Sequence, residues 1–231
     1  MLKLFENVLD YIFPKECYGC EREGEYLCSS CFDKVSFIEN QPCYICNELG
    51  YENGICSKCR GESQIDKIIV ATTYSENFVS RIVEQLKYNF IEDLAGILAK
   101  IIDKQIVDKD FVNDIYNVKI VPIPLHRKRY IERGFNQSEK IAKYLGEKYG
   151  GEIDEELLIR NKNTSQQAKL NRKERFENLS EAFGVRLGVE VPKKVVLVDD
   201  VLTTGVTFGE AVRVLKKSGV EEVVCVAVCH G

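Results

Sequence analysis

From residue 66 onward, short apolar runs alternate with stretches whose apolar residues recur every three or four positions. Ile68 to Thr73 is a β-branched run, and Phe78, Ile82, Leu86 and Phe90 then fall on one helical stripe, which predicts a strand followed by a helix. A second helix is predicted from about Glu92 to Val107. Lys119 to Ile123 is an apolar strand closed by Pro122 and Pro124, two prolines that force an extended exit. Ser138 to Tyr149 has helical spacing at Ile141, Tyr144 and Leu145 and stops at Gly150 and Gly151. Lys194 to Val198 is a continuous apolar run of the buried-strand type. A turn follows it, then a helix with Phe208, Ala211, Val212 and Leu215 inward, then a last strand, Val223 to Val228. Strands alternating with helices imply an α/β fold whose central parallel sheet is covered on both faces, with ligands bound at the carboxyl ends of the strands.

Two segments break this rhythm. Residues 1–63 are rich in Cys, Gly, Glu and Tyr and read as knuckles and short turns, after a leading helical stripe of Phe5, Val8, Leu9 and Ile12 that ends at Pro14. Thr164 to Asn178 is almost wholly polar, the composition of a functional lid or a disordered loop. A chain of 231 residues with 45% hydrophobic content can bury one sizeable core and a small satellite. The expected organisation is a cysteine-rich module over 1–63 and an α/β domain over 64–231. Glu6 and Asp10 interrupt the leading apolar stripe, so it does not read as a signal peptide, and no window approaches the ~20 apolar residues of a membrane span. A cytoplasmic location is expected.

Eight of the ten cysteines lie between Cys17 and Cys59, all in C-x-x-C pairs; Cys225 and Cys229 stand apart. In a reducing compartment this spacing favours metal over disulfides. Cys17, Cys20, Cys28 and Cys31 span a gap of seven residues between their pairs, and Cys43, Cys46, Cys56 and Cys59 a gap of nine. Each quartet suits one tetrahedral structural zinc, two in all. Sequential filling closes the shorter loops and is the expected pairing. The interleaved alternative joins Cys17 and Cys20 to Cys43 and Cys46, a single site is a further one, and spacing leaves both open.

The candidate chemistry lies further on. The apolar run ending at Val198 leads into Asp199 and Asp200, then Val201, Leu202, Thr203, Thr204, Gly205, Val206 and Thr207 before the next helix. A Thr/Gly loop entering a helix offers outward N–H groups and the positive end of the helix dipole, a cradle for phosphate. Adjacent carboxylates at a strand tip suit vicinal hydroxyls instead, as on a ribose. One Asp would be enough to cap a helix; two, joined to this loop, indicate a sugar phosphate.

That string resembles the 5-phosphoribosyl 1-diphosphate (PRPP) signature of type I phosphoribosyltransferases. The stretch His126 to Gln137, the stretch Thr164 to Phe183 with Gln167, Arg175 and Asn178, and the cysteine-rich leader are similar to the ComF competence family over nearly the whole chain. The resemblance implies a double zinc-ribbon module before a type I phosphoribosyltransferase fold, in proteins associated with DNA uptake and processing during natural transformation. Carried over by position, Asp199 and Asp200 would hold the ribose hydroxyls and Thr203 to Thr207 the 5-phosphate. The diphosphate would lie near Leu125 to Arg129, with His126, Arg127, Lys128 and Arg133 beside it, and Arg172 and Arg175 would belong to the mobile lid. Asp199, Asp200, Arg133, Arg172 and Arg175 then form the expected catalytic set, with magnesium arriving on PRPP. A lone histidine such as His126 more often packs or orients a loop than transfers a proton.

Charge separates the two halves. Residues 1–66 hold six Lys/Arg against twelve Asp/Glu, which suits a structural or protein-docking module better than a DNA clamp. Residues 126–150 carry seven basic against three acidic groups, and 160–176 six against one. That basic rim, with Arg129 among its members and Tyr130 and Phe135 as candidate stacking rings, could serve PRPP alone or also single-stranded DNA. Two functions follow: phosphoribosyl transfer from PRPP to an acceptor that no segment identifies, or a non-catalytic PRPP-sensing or single-stranded-DNA-binding component working with other competence proteins.

Overall fold

The computed structural model describes residues 14–51, 53–75, 77–162 and 181–231. The stripe before Pro14 and the polar stretch Thr164 to Asn178, with Gln167, Arg172 and Arg175, lie outside the described residues. Among the described residues six strands form: β1 (Lys67–Thr73), β2 (Lys119–Pro122), β3 (Leu158–Arg160), β4 (Phe183–Val185), β5 (Lys194–Leu202) and β6 (Glu222–His230). The helices are α1 (Ser29–Phe32), α2 (Asn77–Tyr88), α3 (Leu94–Asp108), α4 (Val112–Ile115), α5 (Arg127–Arg133), α6 (Gln137–Tyr149) and α7 (Val206–Lys217), with a 3-10 turn at Arg60–Glu62.

The four long apolar runs make one parallel sheet in the order β1-β6-β5-β2, while β3 and β4 form a separate antiparallel pair. Strands buried on both faces need apolar residues at every position, which is why these runs read as continuous rather than alternating. Ile69 and Ala71 of β1 and Val196 and Val198 of β5 face one buried cluster, with Ile82 and Leu86 of α2, Leu98 and Ile102 of α3 and Ile141 and Leu145 of α6. Ile68, Val70, Val195 and Leu197 face the other, with Phe208, Ala211, Val212 and Leu215 of α7.

Three boundaries differ from the sequence reading. The stripe of α2 stops at Tyr88; Phe90 takes φ 60° and is 48% exposed. The basic stretch after Pro124, where no element was expected, forms α5. Most consequentially, β5 does not end at Val198 but continues through both acids to Leu202, because β6 keeps pairing with it at Asp199↔Ala227, Val201↔Cys229 and Leu202↔His230.

Both sheet edges are covered, as exposed strand edges must be to avoid pairing with other chains. Outside β2, Ile120 donates to the Glu152 carbonyl at 2.8 Å, and Asp154 donates to that of Ile120 at 2.9 Å. Outside β1 lies the cysteine-rich segment. Phe37 bridges Thr72 in antiparallel fashion, Ile38 N–H donates to Ala71 O at 2.9 Å, and Ile68 N–H donates to Asn53 O at 3.0 Å. Buried Gln41 completes the edge: its amide donates to Val70 O at 2.8 Å and accepts from Val70 N–H at 3.2 Å. The segment therefore straddles β1. Cys17, Cys28 and Cys31 join the α2 and α3 cluster, and Cys43, Cys56 and Cys59 join the α7 cluster. No described helix is long and apolar enough to cross a membrane.

Gln41→Ala leaves the Val70 amide and carbonyl unpaired in a buried edge. It is expected to cost about 1–3 kcal/mol, read as a lower urea midpoint with an unchanged m-value.

Candidate functional site

Extension of β5 carries Asp199 and Asp200 inside the carboxyl end of the sheet. Asp199 Oδ1 accepts from the Ser138 hydroxyl and from the Asp200 N–H, both at 2.9 Å. Ser138 is held by Asn136, the N-cap of α6, whose Oδ1 accepts from Ser138 N–H at 3.1 Å while its amide donates to Ile123 O at 3.0 Å. Asn136 thus ties the start of α6 to the chain leaving β2. Asp200, whose side chain is 5% exposed, faces the Lys87 ammonium at 2.7 Å.

These contacts set the charge of the pair. Burial, then the neighbouring Asp200 carboxylate, push Asp199 up to about 7, against the downward pull of Lys87, the Asp200 N–H and Ser138. Burial disfavours the Lys87 ammonium, but the charge of Asp200 and their hydrogen bond outweigh it and hold its pKa above the usual lysine value. Lys87 thereby gives the buried Asp200 side chain an ion-pair partner in a place where an unpaired charge would be strongly disfavoured.

A cavity of about 430 Å³ opens over the pair. One wall is the loop after β5, with Thr203, Gly205 and Thr207; Gly205 takes φ 71° and caps the 12-residue α7. The leading N–H groups of a helix have no partners within it, and the helix dipole favours an anion there. Thr204 Oγ1 is buried with no hydrogen-bond partner among the described residues. The opposite wall is cationic: Arg129 and Arg133, one turn apart on α5, and Arg160 at the end of β3. Burial and the nearby Arg129 push Arg160 down to about 10, opposed by Asp199, and burial lowers Arg133. Three crowded guanidiniums form a ready site for a polyanion. Tyr74, Glu84, Lys87 and Tyr88 close the side nearest α2, and the Tyr74 hydroxyl donates to Glu84 at 3.1 Å.

Of the residues singled out in the sequence, Asp199, Asp200, Val201, Leu202, Thr203, Gly205, Thr207, Leu125, Arg129 and Arg133 line this cavity; Thr204 and Val206 sit in the same loop without lining it. His126, Arg127 and Lys128 are placed elsewhere. His126 is the N-cap of α5, its Nδ1 accepting from Lys128 N–H at 3.2 Å, so it orients the helix. Arg127 and Lys128 are exposed. The helix turns Arg129 and Arg133 inward instead, as i,i+4 neighbours on one face. Phe135, a candidate stacking ring, is a core residue at 4% exposure, whereas Tyr130 is 47% exposed. Sequence reasoning missed Lys87, Glu84, Tyr74 and Tyr88, and counted Arg160 only as one charge of a basic stretch. Lys87 is a polar residue beside an apolar stripe, and nothing near it in the chain announces its partner.

The eight cysteines form two groups, each with its four sulfurs within 4.8 Å of one another: Cys17, Cys20, Cys28 and Cys31, and Cys43, Cys46, Cys56 and Cys59. The pairing is sequential rather than interleaved. The two C-x-x-C turns are geometric repeats: Cys17 N–H donates to Arg22 O and Glu21 N–H to Cys17 O, as Cys43 N–H does to Glu48 O and Asn47 N–H to Cys43 O, with Glu21 and Asn47 both at φ 62°. Cys28 N–H also donates to Cys17 Sγ at 3.4 Å, which favours thiolate. Four sulfurs gathered at this spacing suit tetrahedral zinc in both groups.

Comparison with known proteins agrees. A model of the double zinc ribbon domain matches residues 8–66, and one of the phosphoribosyl transferase domain matches residues 140–231. The chain is 30% identical to Competence protein F of Haemophilus influenzae over 202 residues, 85% of this chain and 87% of that protein. It is 28% identical to the DNA utilization protein YhgH of Salmonella typhi over 209 residues (88% and 90%), and 28% identical to Competence protein ComFC of Streptococcus pneumoniae over 213 residues (90% and 84%).

Two outcomes are expected. Metal analysis of chain purified under reducing, chelator-free conditions should find two zincs, and Cys43→Ser with Cys56→Ser should leave one. Asp199 binds its proton more tightly folded than unfolded, so between pH ~4 and ~7 its contribution to stability falls as pH rises. Urea midpoints should therefore show Asp199→Asn gaining on the wild type across that interval.

Proposed function

Because the chain belongs to the family of Competence protein F, a double zinc ribbon joined to a phosphoribosyltransferase domain, we propose that the cavity binds PRPP with magnesium and transfers its phosphoribosyl group. The observation that carries this reading is the convergence, in one cavity, of hydroxyl acceptors, a helix N-terminus and a cationic wall. Asp199 and Asp200 accept from the ribose 2- and 3-hydroxyls. The N–H groups of Thr203 to Thr207 hold the 5-phosphate. Arg129, Arg133 and Arg160 face the diphosphate; Arg172 and Arg175 remain candidates from the sequence for the same charge. Magnesium arriving with PRPP would neutralise charge on the leaving diphosphate. Transfer breaks the bond between C1 and the diphosphate oxygen, which keeps the electron pair, and the acceptor bonds to C1 and gives up its proton. Carboxylates beside the ring favour the positive charge that develops at C1. The names of the relatives support a role in the use of DNA.

A second reading, single-stranded DNA binding without catalysis, is favoured by the outer face of α5. Arg127, Lys128, Tyr130 and Ile131 are all exposed there, a stacking ring among cations. Because Arg127 and Lys128 do not line the cavity, DNA held by them would not compete with PRPP.

Asp199→Asn with Asp200→Asn should weaken PRPP binding by one to two orders of magnitude in calorimetry, the loss of a charged hydrogen bond being worth ~1.5–3 kcal/mol. Unchanged affinity would sink the assignment. Diphosphate release from PRPP, assayed with candidate acceptors alone and with single-stranded DNA, decides between transfer and binding. For the second reading, DNA affinity should fall with salt at a log-log slope near -0.7 per phosphate contacted, and Arg127→Ala with Lys128→Ala should flatten it.

A further inference from the structure

The second cysteine quartet lies directly behind the phosphate loop. Tyr44, inside the Cys43 to Cys46 turn, is 8% exposed, and its ring is pressed against Gly205. A Cβ at Gly205 would collide with Tyr44 Cδ2 and stand 2.7 Å from Cε2 and 3.4 Å from Cγ. The far end of the ring is anchored: its hydroxyl donates to Ser63 Oγ at 2.7 Å, which accepts from Ile65 N–H at 3.0 Å on the approach to β1. Leu202 and Phe208, which bracket the loop, belong to the same buried cluster as Tyr44, Cys43 and Cys56. The equivalent tyrosine of the first knuckle, Tyr18, is half-exposed, stacks on Tyr26 with centroids 6.1 Å apart and lies beneath Arg81. The two turns share a backbone and a tyrosine, but their rings do different things.

We infer that Tyr44 is a positioning residue for the loop Thr203 to Thr207, and that metal binding at Cys43, Cys46, Cys56 and Cys59 sets the cavity's affinity for a phosphorylated sugar. This rests on the reading of the cavity as a PRPP site. Backbone N–H groups hold a phosphate only while they converge, and Gly205, without a side chain, is where the loop can most easily lose that convergence. The ring removes that freedom from behind, without touching the ligand. A metal held by Cys43 and Cys46, on either side of Tyr44, fixes the ring in turn. Coupling of this kind is reciprocal: a ligand that orders the loop must also tighten the metal.

The test uses the full chain, with zinc content measured alongside amide hydrogen exchange over 203–207 and calorimetric affinity for PRPP with magnesium. Tyr44→Phe keeps the ring and should stay within about threefold of wild type on both readouts, whereas Tyr44→Leu, with two zincs retained, should exchange about tenfold faster and bind about tenfold more weakly. A second arm needs no variant: saturating PRPP with magnesium should slow zinc loss to a chelator from the second quartet and leave the first unchanged. The inference is overturned if Tyr44→Leu keeps two zincs and moves neither readout. Should that variant lose its metal, a release rate indifferent to PRPP overturns it equally. If wild type fails to bind PRPP, the PRPP reading falls, and loop exchange in Tyr44→Leu still decides the role of the ring.

Discussion

Burying two adjacent carboxylates at the end of a hydrophobic strand is strongly unfavourable without partners, and much of the arrangement around β5 follows from that constraint. Asp200 is paired with Lys87, delivered by the last turn of α2. Asp199, held by Ser138 and a backbone N–H, is left with a pKa near 7. Lys87 and Ser138 come from helices on the same face of the sheet, and Asn136 fixes the start of one of them to the chain leaving β2. An acidic floor and a cationic wall are thus set against each other across one cavity, the arrangement a substrate with both a diol and phosphates requires.

The cysteine-rich segment completes the sheet. Strand β1 would otherwise present an open edge, and the segment pairs with it through Phe37, Ile38 and Gln41 while sending one quartet to each face. The two cysteine groups do more than order a small acidic module. The second quartet contributes to the core that supports the loop leading into α7, which gives a physical reason for a double zinc ribbon and a phosphoribosyltransferase domain to travel in one chain. The excess of acidic residues in that segment agrees with a docking and bracing role rather than with contact to a phosphate backbone.

The chain itself determined whatever depends on local pattern. The β-branched runs and three-to-four spacing fixed strands, helices and a parallel sheet, because periods of 2 and 3.6 are properties of the backbone. Ligand spacing indicated metal binding and left the grouping of the cysteines open, and two acids before a Thr/Gly loop marked the cavity. Tertiary structure decided what depends on rotation about a helix axis or on contact between distant segments. It turned Arg129 and Arg133 inward and left Arg127 and Lys128 outside, made His126 a cap, and buried Phe135 while exposing Tyr130. It also brought Lys87 to Asp200 and Tyr44 to Gly205. A composition count treats four neighbouring cations as equal, and no periodicity links a lysine beside an apolar stripe to an acid on another strand. Those pairings arise only when the sheet closes and each helix takes one angle against it.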